Sequence, residues 1–317
     1  MITAYRPLLF FSAFPKKMFL QQVINGIILG FIYSLLAMGM TMVFGITQVI
    51  HFSHGEVFMI GSFIGVGVAV LLTETGYLGG NIFGVLLITI ALAMAGAALL
   101  GVLVDRTCYR PIRQSPRINS LVSAIGSSIF IQQAVILTLG SKFRIFPFLF
   151  PKGEIHFLGS MVSYAQLWII LISLFLMVLF SIFLKYSRMG KALQTVAENQ
   201  KVAGLLGINV NRFIALTFLM VSAVAGAAGV LTGSYYGSVD FFVGFMAGLK
   251  AFTSMVLGGV GNVTGAVLGG LVIGIAETLI GGYISNDNKD IFVFLLLIII
   301  LVFRPSGLLG ERVAEKL

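Results

Sequence analysis

Apolar residues run along this chain in blocks of about twenty, each closed by a short polar stretch. In helical form a block of that length crosses the hydrocarbon core of a bilayer, roughly 30 Å. The blocks lie at about 19–46, 55–73, 80–104, 119–140, 163–184, 213–236, 263–283 and 290–303. A further block at about 249–260 is too brief for a comfortable crossing, and 290–303 is short as well. The pattern predicts an all-α, polytopic transmembrane helical bundle with about eight full spans plus one short or broken segment. It predicts a single domain over 1–317, with an N-terminal tail at 1–18, a long loop at 187–211 and a C-terminal tail at 304–317. Residues 8–14 are apolar but lack the small-residue pattern of a cleaved signal.

Composition narrows the class. Hydrophobic residues make up 58% of the chain and charged residues only 10%, against roughly 25% in a soluble domain. So few charges cannot cover the surface of a soluble enzyme of this size, and disorder needs the opposite balance. The net charge of +9 is scattered between apolar blocks, which is no nucleic-acid stripe. Cys108 is the one cysteine, so an intrachain disulfide and a thiolate metal cluster are both excluded.

Basic residues give the orientation, because cytoplasmic loops collect Lys and Arg. Residues 105–118 hold four, 185–212 hold five and the C-terminal tail holds three, which is twelve of the 20. All three segments are therefore expected inside, with the N-terminus outside. A cytoplasmic C-terminus then requires 249–260 to count as a crossing; a re-entrant piece would put the tail outside.

Two stretches repeat the order helix, polar break, helix: 36–72 around His51, Ser53, His54, Gly55 and Glu56, and 249–283 around 258–265 with Asn262 and Thr264. Broken helices at membrane depth expose backbone groups that lipid cannot satisfy, so they line a polar cavity or pack inside protein. In transporters, paired interruptions of this kind point to the transport site. His51, Ser53, His54, Glu56, Asn262 and Thr264 are accordingly the candidate substrate-path residues. The plainer alternative makes both breaks tight turns, with Glu56 simply favourable in the first turn of a helix. The two histidines lack further ligands, so no metal site is expected. Glu277, inside the 263–283 block, is protonated, paired or facing a cavity. Glycines four apart, such as Gly26/Gly30, Gly61/Gly65 and Gly229/Gly233, suit close helix approach in lipid. The 258–265 stretch is no phosphate loop, since no Gly-Lys-Ser/Thr follows. No catalytic constellation assembles.

Residues 187–211, SRMGKALQTVAENQKVAGLLGINVN, read as a short amphipathic helix. Leu193, Val196 and Ala197 share one face, and Val202, Leu205 and Leu206 form a second apolar set. Gly207 suits a helix C-cap. Spacing leaves open whether the apolar face meets the membrane surface or a groove on a partner.

Three stretches carry a family resemblance: VINGIILGFIYSLLAMGMTMVFGITQVIHFSHGEVFMIGSF (23–63), GKALQTVAENQKVAGLLGINV (190–210) and LGGVGNVTGAVLGGLVIGIAE (257–277). They resemble the permeases of branched-chain amino acid ABC importers, the LivH type, in the family's order and over nearly all the chain after residue 18. The resemblance implies a multi-pass subunit of the bacterial inner membrane that is not itself an enzyme. It implies a second permease (the same chain or another), two cytoplasmic ATPase subunits that bind the ATP, and an extracytoplasmic substrate-binding protein. It assigns 187–211 to a cleft of the ATPase, carried over to Gly190, Ala197, Asn199, Ala203, Gly207 and Ile208, with Glu198 beside them. It implies ATP-driven alternating access for a small amino acid, branched-chain first. Urea or short amides are the alternatives within the family, and a passive channel or proton-coupled carrier outside it. His51 departs from the family's usual Asn, and Ser53 from its Ala, which bears on selectivity.

Overall fold

A computed structural model describes residues 16–76, 81–157, 159–304 and 306–310; most of the two expected tails lies outside them. Eleven α-helices follow one another: α1 (Lys16–Thr47), α2 (His54–Glu74), α3 (Ile82–Val104), α4 (Arg117–Leu139), α5 (Tyr164–Tyr186), α6 (Arg188–Glu198), α7 (Gln200–Leu205), α8 (Val210–Tyr236), α9 (Val243–Gly258), α10 (Val263–Tyr283) and α11 (Lys289–Phe303). Seven of them, α1 to α5 with α8 and α10, are long and apolar enough to cross a membrane. The expected eighth full span, α11, has only 15 residues, a rise of about 22 Å. The bundle is thus seven long helices with two short ones, α9 and α11.

Among the described residues two small antiparallel two-stranded sheets, absent from the sequence expectation, sit in the connections. β1 (Arg144–Ile145) pairs with β4 (Ser238–Val239), and β2 (Glu154–Phe157) pairs with β3 (Ser160–Ser163). They pair the exposed backbone of segments too short and polar to continue as helix. Both lie at the end of the bundle where α1 begins, since the Gln21 amide donates to Met161 O and accepts from Met161 N.

The route of α9 decides the parity of the chain. Its first turn follows β4 at that end. Its last turn meets the start of α10, and Leu309 N donates to Gly258 O. Gly261 and Val263, just beyond, share a cavity with Leu193 and Ala197 of α6. The short helix therefore runs the depth of the bundle, and 304–309 emerges at the same end as 187–209.

Close approach holds the long helices together. Gly26 and Gly30 of α1 lie against α10, where an added Cβ would meet Ile275 Cα at 2.6 Å and Leu271 Cα at 2.8 Å. Gly274 returns the contact onto the Gly30 backbone, and Gly61 of α2 faces Gly226 of α8. Lipid offers no hydrophobic drive between helices, so backbone-to-backbone packing through small residues replaces it. Gly274→Ala is expected to lower stability by about 1–3 kcal/mol, as overpacking does. Gly67→Ala, at a helix position with nothing within 4 Å, is expected to be neutral. Thermal unfolding of the two variants in detergent checks the contrast.

Candidate translocation site

The first break is folded into protein at depth. His54 begins α2 beside Gly39 of α1 and Val221 of α8, about 12 Å short of the end of α1 by helical rise. Residues 48–53 therefore turn back into the bundle before α2 starts. His51, Ser53, His54 and Glu56 are all buried. His51 Nδ1 lies 2.8 Å from Tyr109 Oη and Ser53 Oγ 2.7 Å from Ser127 Oγ. Ser128 Oγ donates to Glu56 Oε1 at 3.1 Å. Partners from α2, α4 and the 105–109 turn satisfy part of this buried cluster, whereas His51 Nε2 and Glu56 Oε2 are buried without a hydrogen-bond partner. An apolar cavity of about 380 Å³ adjoins, lined by Phe52, Ser128, Gln132 and Phe245 among others.

The second break has a different construction. Asn262 caps α10, its Oδ1 accepting from Gly265 N at 2.9 Å, while its Nδ2 donates to Leu309 O at 2.9 Å. Gly259 and Gly261, at φ +110° and +90°, make a turn that side-chain-bearing residues resist. Thr264 is exposed. The structure thus brings His51, Ser53, His54 and Glu56 into one neighbourhood but not Asn262 or Thr264. Those two belong to a corner at the end of the bundle, tied to the C-terminal segment. The repeat in the sequence is real as a pattern of helices, yet one break is a deep fold-back and the other a capped turn.

The 187–211 loop is a two-helix elbow. Asn199 ends α6 in extended backbone and caps α7, its Oδ1 accepting from Lys201 N and Val202 N. Leu193, Val196 and Ala203 are buried, and Gly190 sits against the carbonyls of Phe183 and Leu184. Gln200 Nε2 donates to Ile46 O at 2.7 Å, fixing the elbow to the end of α1. Ala197 and Ile208 are half-buried, whereas Glu198, Asn199 and Gly207 are exposed. Gly190 and Ala203 therefore shape the elbow from within. Val202, Leu205 and Leu206 stand out of it, Leu205 at 88% exposure.

At the opposite end a cavity of about 370 Å³ opens between α1, α8, α9, α10 and α11. Its wall carries Leu29, Ile32, Phe58 and Met246, and its floor is charged. Lys250 Nζ lies 2.7 Å from Glu277 Oε1 and 2.8 Å from Asp290 Oδ1, and Lys289 Nζ lies 3.3 Å from Glu277 Oε1. Tyr33 Oη donates to Glu277 Oε2 at 2.8 Å. Glu277 is thus a paired carboxylate. Sequence reasoning passed over Lys250 although it lies inside the short 249–260 block; its signal was a lone cation in the otherwise apolar run 241–258.

A polytopic bundle with a polar fold-back at depth, a charged cavity at one end and an apolar elbow at the other has the anatomy of a membrane transport subunit. The chain belongs to the family described as branched-chain amino acid transport system / permease component, whose profile matches residues 22–301. Curated relatives agree over almost full length. The high-affinity branched-chain amino acid transport system permease protein LivH of Escherichia coli is 44% identical over 313 residues, covering 94% of this chain and 97% of that protein. LivH of Salmonella typhimurium is 42% identical with the same coverage. BraD of Pseudomonas aeruginosa is 42% identical over 302 residues, covering 94% and 98%. No solved structure matches. The chain is a multi-pass protein of the bacterial inner membrane and one component of a multi-subunit transporter.

The charged floor has a measurable signature. Lys250→Met alone strips two carboxylates of their shared partner and is expected to cost about 3–5 kcal/mol, as breaking a buried pair does. Lys250→Met combined with Glu277→Leu is expected to recover most of that, because the uncompensated buried charge goes with it. Thermal unfolding of the singles and the double measures the coupling, and strictly additive effects would count against it.

Proposed function

We propose that this chain is a permease subunit of an ABC importer that carries a branched-chain amino acid inward. The observation that carries the reading is the elbow of α6 and α7. A membrane-embedded bundle that holds Val202, Leu205 and Leu206 out of its own core leaves apolar area that a partner groove can bury. A passive channel has no use for such an elbow. The partners are then two ATPase subunits that bind the ATP, a second permease subunit and an extracytoplasmic binding protein. Glu198, Asn199, Gly207 and the three apolar side chains would meet the ATPase cleft, with Gly190, Ala197, Ala203 and Ile208 setting the elbow's shape.

The basic segments 105–118 and 185–212 put the elbow, and with it 304–309, on the cytoplasmic side. The charged cavity then opens outward, toward the binding protein. Substrate would pass from it beside the polar fold-back of His51, Ser53, His54 and Glu56. The corner at Asn262 and Thr264 would act on the path indirectly, by joining α9 and α10 at the elbow's end. ATP binding closes the ATPase pair, so the elbow's two positions acquire different free energies, and the helices rock between inward- and outward-open states.

Val202→Asp and Leu205→Asp, both at exposed positions, are expected to abolish ATPase co-purification and ATP-driven leucine uptake while the permease still inserts. Retention of both by either variant would exclude the elbow as the docking element. Leu205→Cys gives the orientation, since it is far more accessible than half-buried Cys108. An impermeant maleimide is expected to label it in inverted vesicles and not in intact spheroplasts.

A further inference from the structure

Four charged side chains meet at the floor of the outer cavity: Lys250, Glu277, Lys289 and Asp290. Two are cations and two are anions, and Asp240, whose Oδ1 accepts from Phe242 N, stands as a third carboxylate on the wall. They are unequally exposed. The Lys250 and Glu277 side chains are 7% and 1% exposed, while Lys289 and Asp290 are 27% and 29% exposed and adjacent in sequence at the first turn of α11. The cavity thus presents one cation and one anion side by side, backed by a buried pair of the same composition. Its volume of about 370 Å³ falls within the roughly 300–1,000 Å³ of small-molecule sites. Leu29, Ile32, Phe58, Val243, Met246 and Ala247 form an apolar face of the wall, and Thr232, Tyr236, Ser238 and Asp240 form its polar remainder.

We infer that this floor is a binding site for the head of a zwitterionic α-amino acid, with Lys289 receiving the α-carboxylate and Asp290 the α-ammonium, and the apolar wall taking the side chain. Charge balance favours such a ligand. A net anion would face three carboxylates and a net cation would leave Lys289 without a ligand group, whereas a zwitterion brings a counter-charge to both the exposed ammonium and the exposed carboxylate. Lys250 and Glu277 are positioning residues. Lys250 spans from Glu277 to Asp290, and Tyr33 donates to Glu277, so the two partly exposed charges are held at fixed separation. When the ligand ammonium takes up Asp290, Lys250 keeps Glu277 as its partner and is not stranded. The same exchange permits release, because the protein's own pairs re-form when the ligand leaves.

This inference rests on the importer reading and refines it. The test uses the full-length permease assembled with its ATPase subunits in nanodiscs, titrated with leucine and followed by thermal unfolding. Leucine is expected to protect the wild-type assembly. Leucinamide, which lacks the carboxylate, and 4-methylpentanoate, which lacks the ammonium, are expected to protect at least tenfold less well. Lys289→Met and Asp290→Asn are expected to raise the leucine concentration needed by a similar factor, with Asp290→Glu restoring part of it. Equal protection by all three compounds overturns the site without use of any variant. So does a wild-type response in both folded variants, or the lack of protection in an assembly that does transport leucine. Failure of the wild-type assembly, supplied with its binding protein, to transport leucine at all would instead strike the importer reading.

Discussion

An ammonium and a carboxylate deep in an apolar bundle must find each other, and the contact between Lys250 and Glu277 governs much of this architecture. Either ion alone would be costly in hydrocarbon. Pairing them fixes α9 against α10, Tyr33 draws in α1, and Asp290 and Lys289 draw in the first turn of α11. Two of these helices are too short to be held by length alone: α9 has 16 residues and α11 has 15. The charges anchor the halves of these helices that lie away from the elbow, where apolar area is limited. The same contacts hold open the cavity above, because long side chains meeting at a floor keep the helices apart while glycines elsewhere bring them together.

That contrast between charged and glycine-lined contacts organises the rest of the bundle. At the α1–α10 and α2–α8 interfaces, Gly26, Gly30, Gly274, Gly61 and Gly226 let backbones touch. Gly55 and Gly244 do the same between the start of α2 and α9. Backbone contacts of this kind leave little room for continuous deformation, so movement between states is expected as displacement of whole helices rather than bending within them. The fold-back at 48–53 is then a joint between two rigid rods, α1 and α2, with His51 and Ser53 bonded across to Tyr109 and Ser127.

Much of this was legible in the sequence, because bilayer thickness and helical rise convert apolar length directly into spans. The blocks at 55–73, 163–184 and 263–283 lie within a residue or two of α2, α5 and α10. The amphipathic character of 187–211 was legible too, from two apolar sets separated by Glu198, Asn199, Gln200 and Lys201, but the sequence reading made it one short helix where the structure breaks it in two at Asn199. What periodicity could not give was depth and partnership. His51 to Gly55 and 258–265 look alike as polar interruptions, but only contacts distant in sequence separate a fold-back beside Gly39 from a corner tied to Leu309. Lys250 and Glu277 lie 27 residues apart on different helices, and no local spacing rule joins them. The β1–β4 pair escaped notice because its strands, of two residues each, are too short to show alternation and lie far apart in the chain.

The two ends of the bundle communicate through the helices they share. Beside the packing of buried Leu193, Val196 and Ala203, polar contacts fix the elbow to the bundle: Gln200 to Ile46 O at the end of α1 and Gln194 to Leu184 O at the end of α5, with a small cavity shared with Gly261 and Val263. These points belong to α1, α5 and the α9–α10 corner. Of these, α1, α9 and α10 carry Tyr33, Lys250 and Glu277 at the other end. A push on the elbow thus acts on the helices whose far ends form the charged floor. Because α1 and α10 are locked backbone to backbone through Gly30 and Gly274, they must move together. α9 is held to α10 in the same way, Gly258 against Gly265 and Ser254 against Gly269, so α1, α9 and α10 carry Tyr33, Lys250 and Glu277 as one unit. In this arrangement the separation between that unit and the first turn of α11, bridged by Lys250 to Asp290 and Lys289 to Glu277, is the quantity that the elbow's position would change.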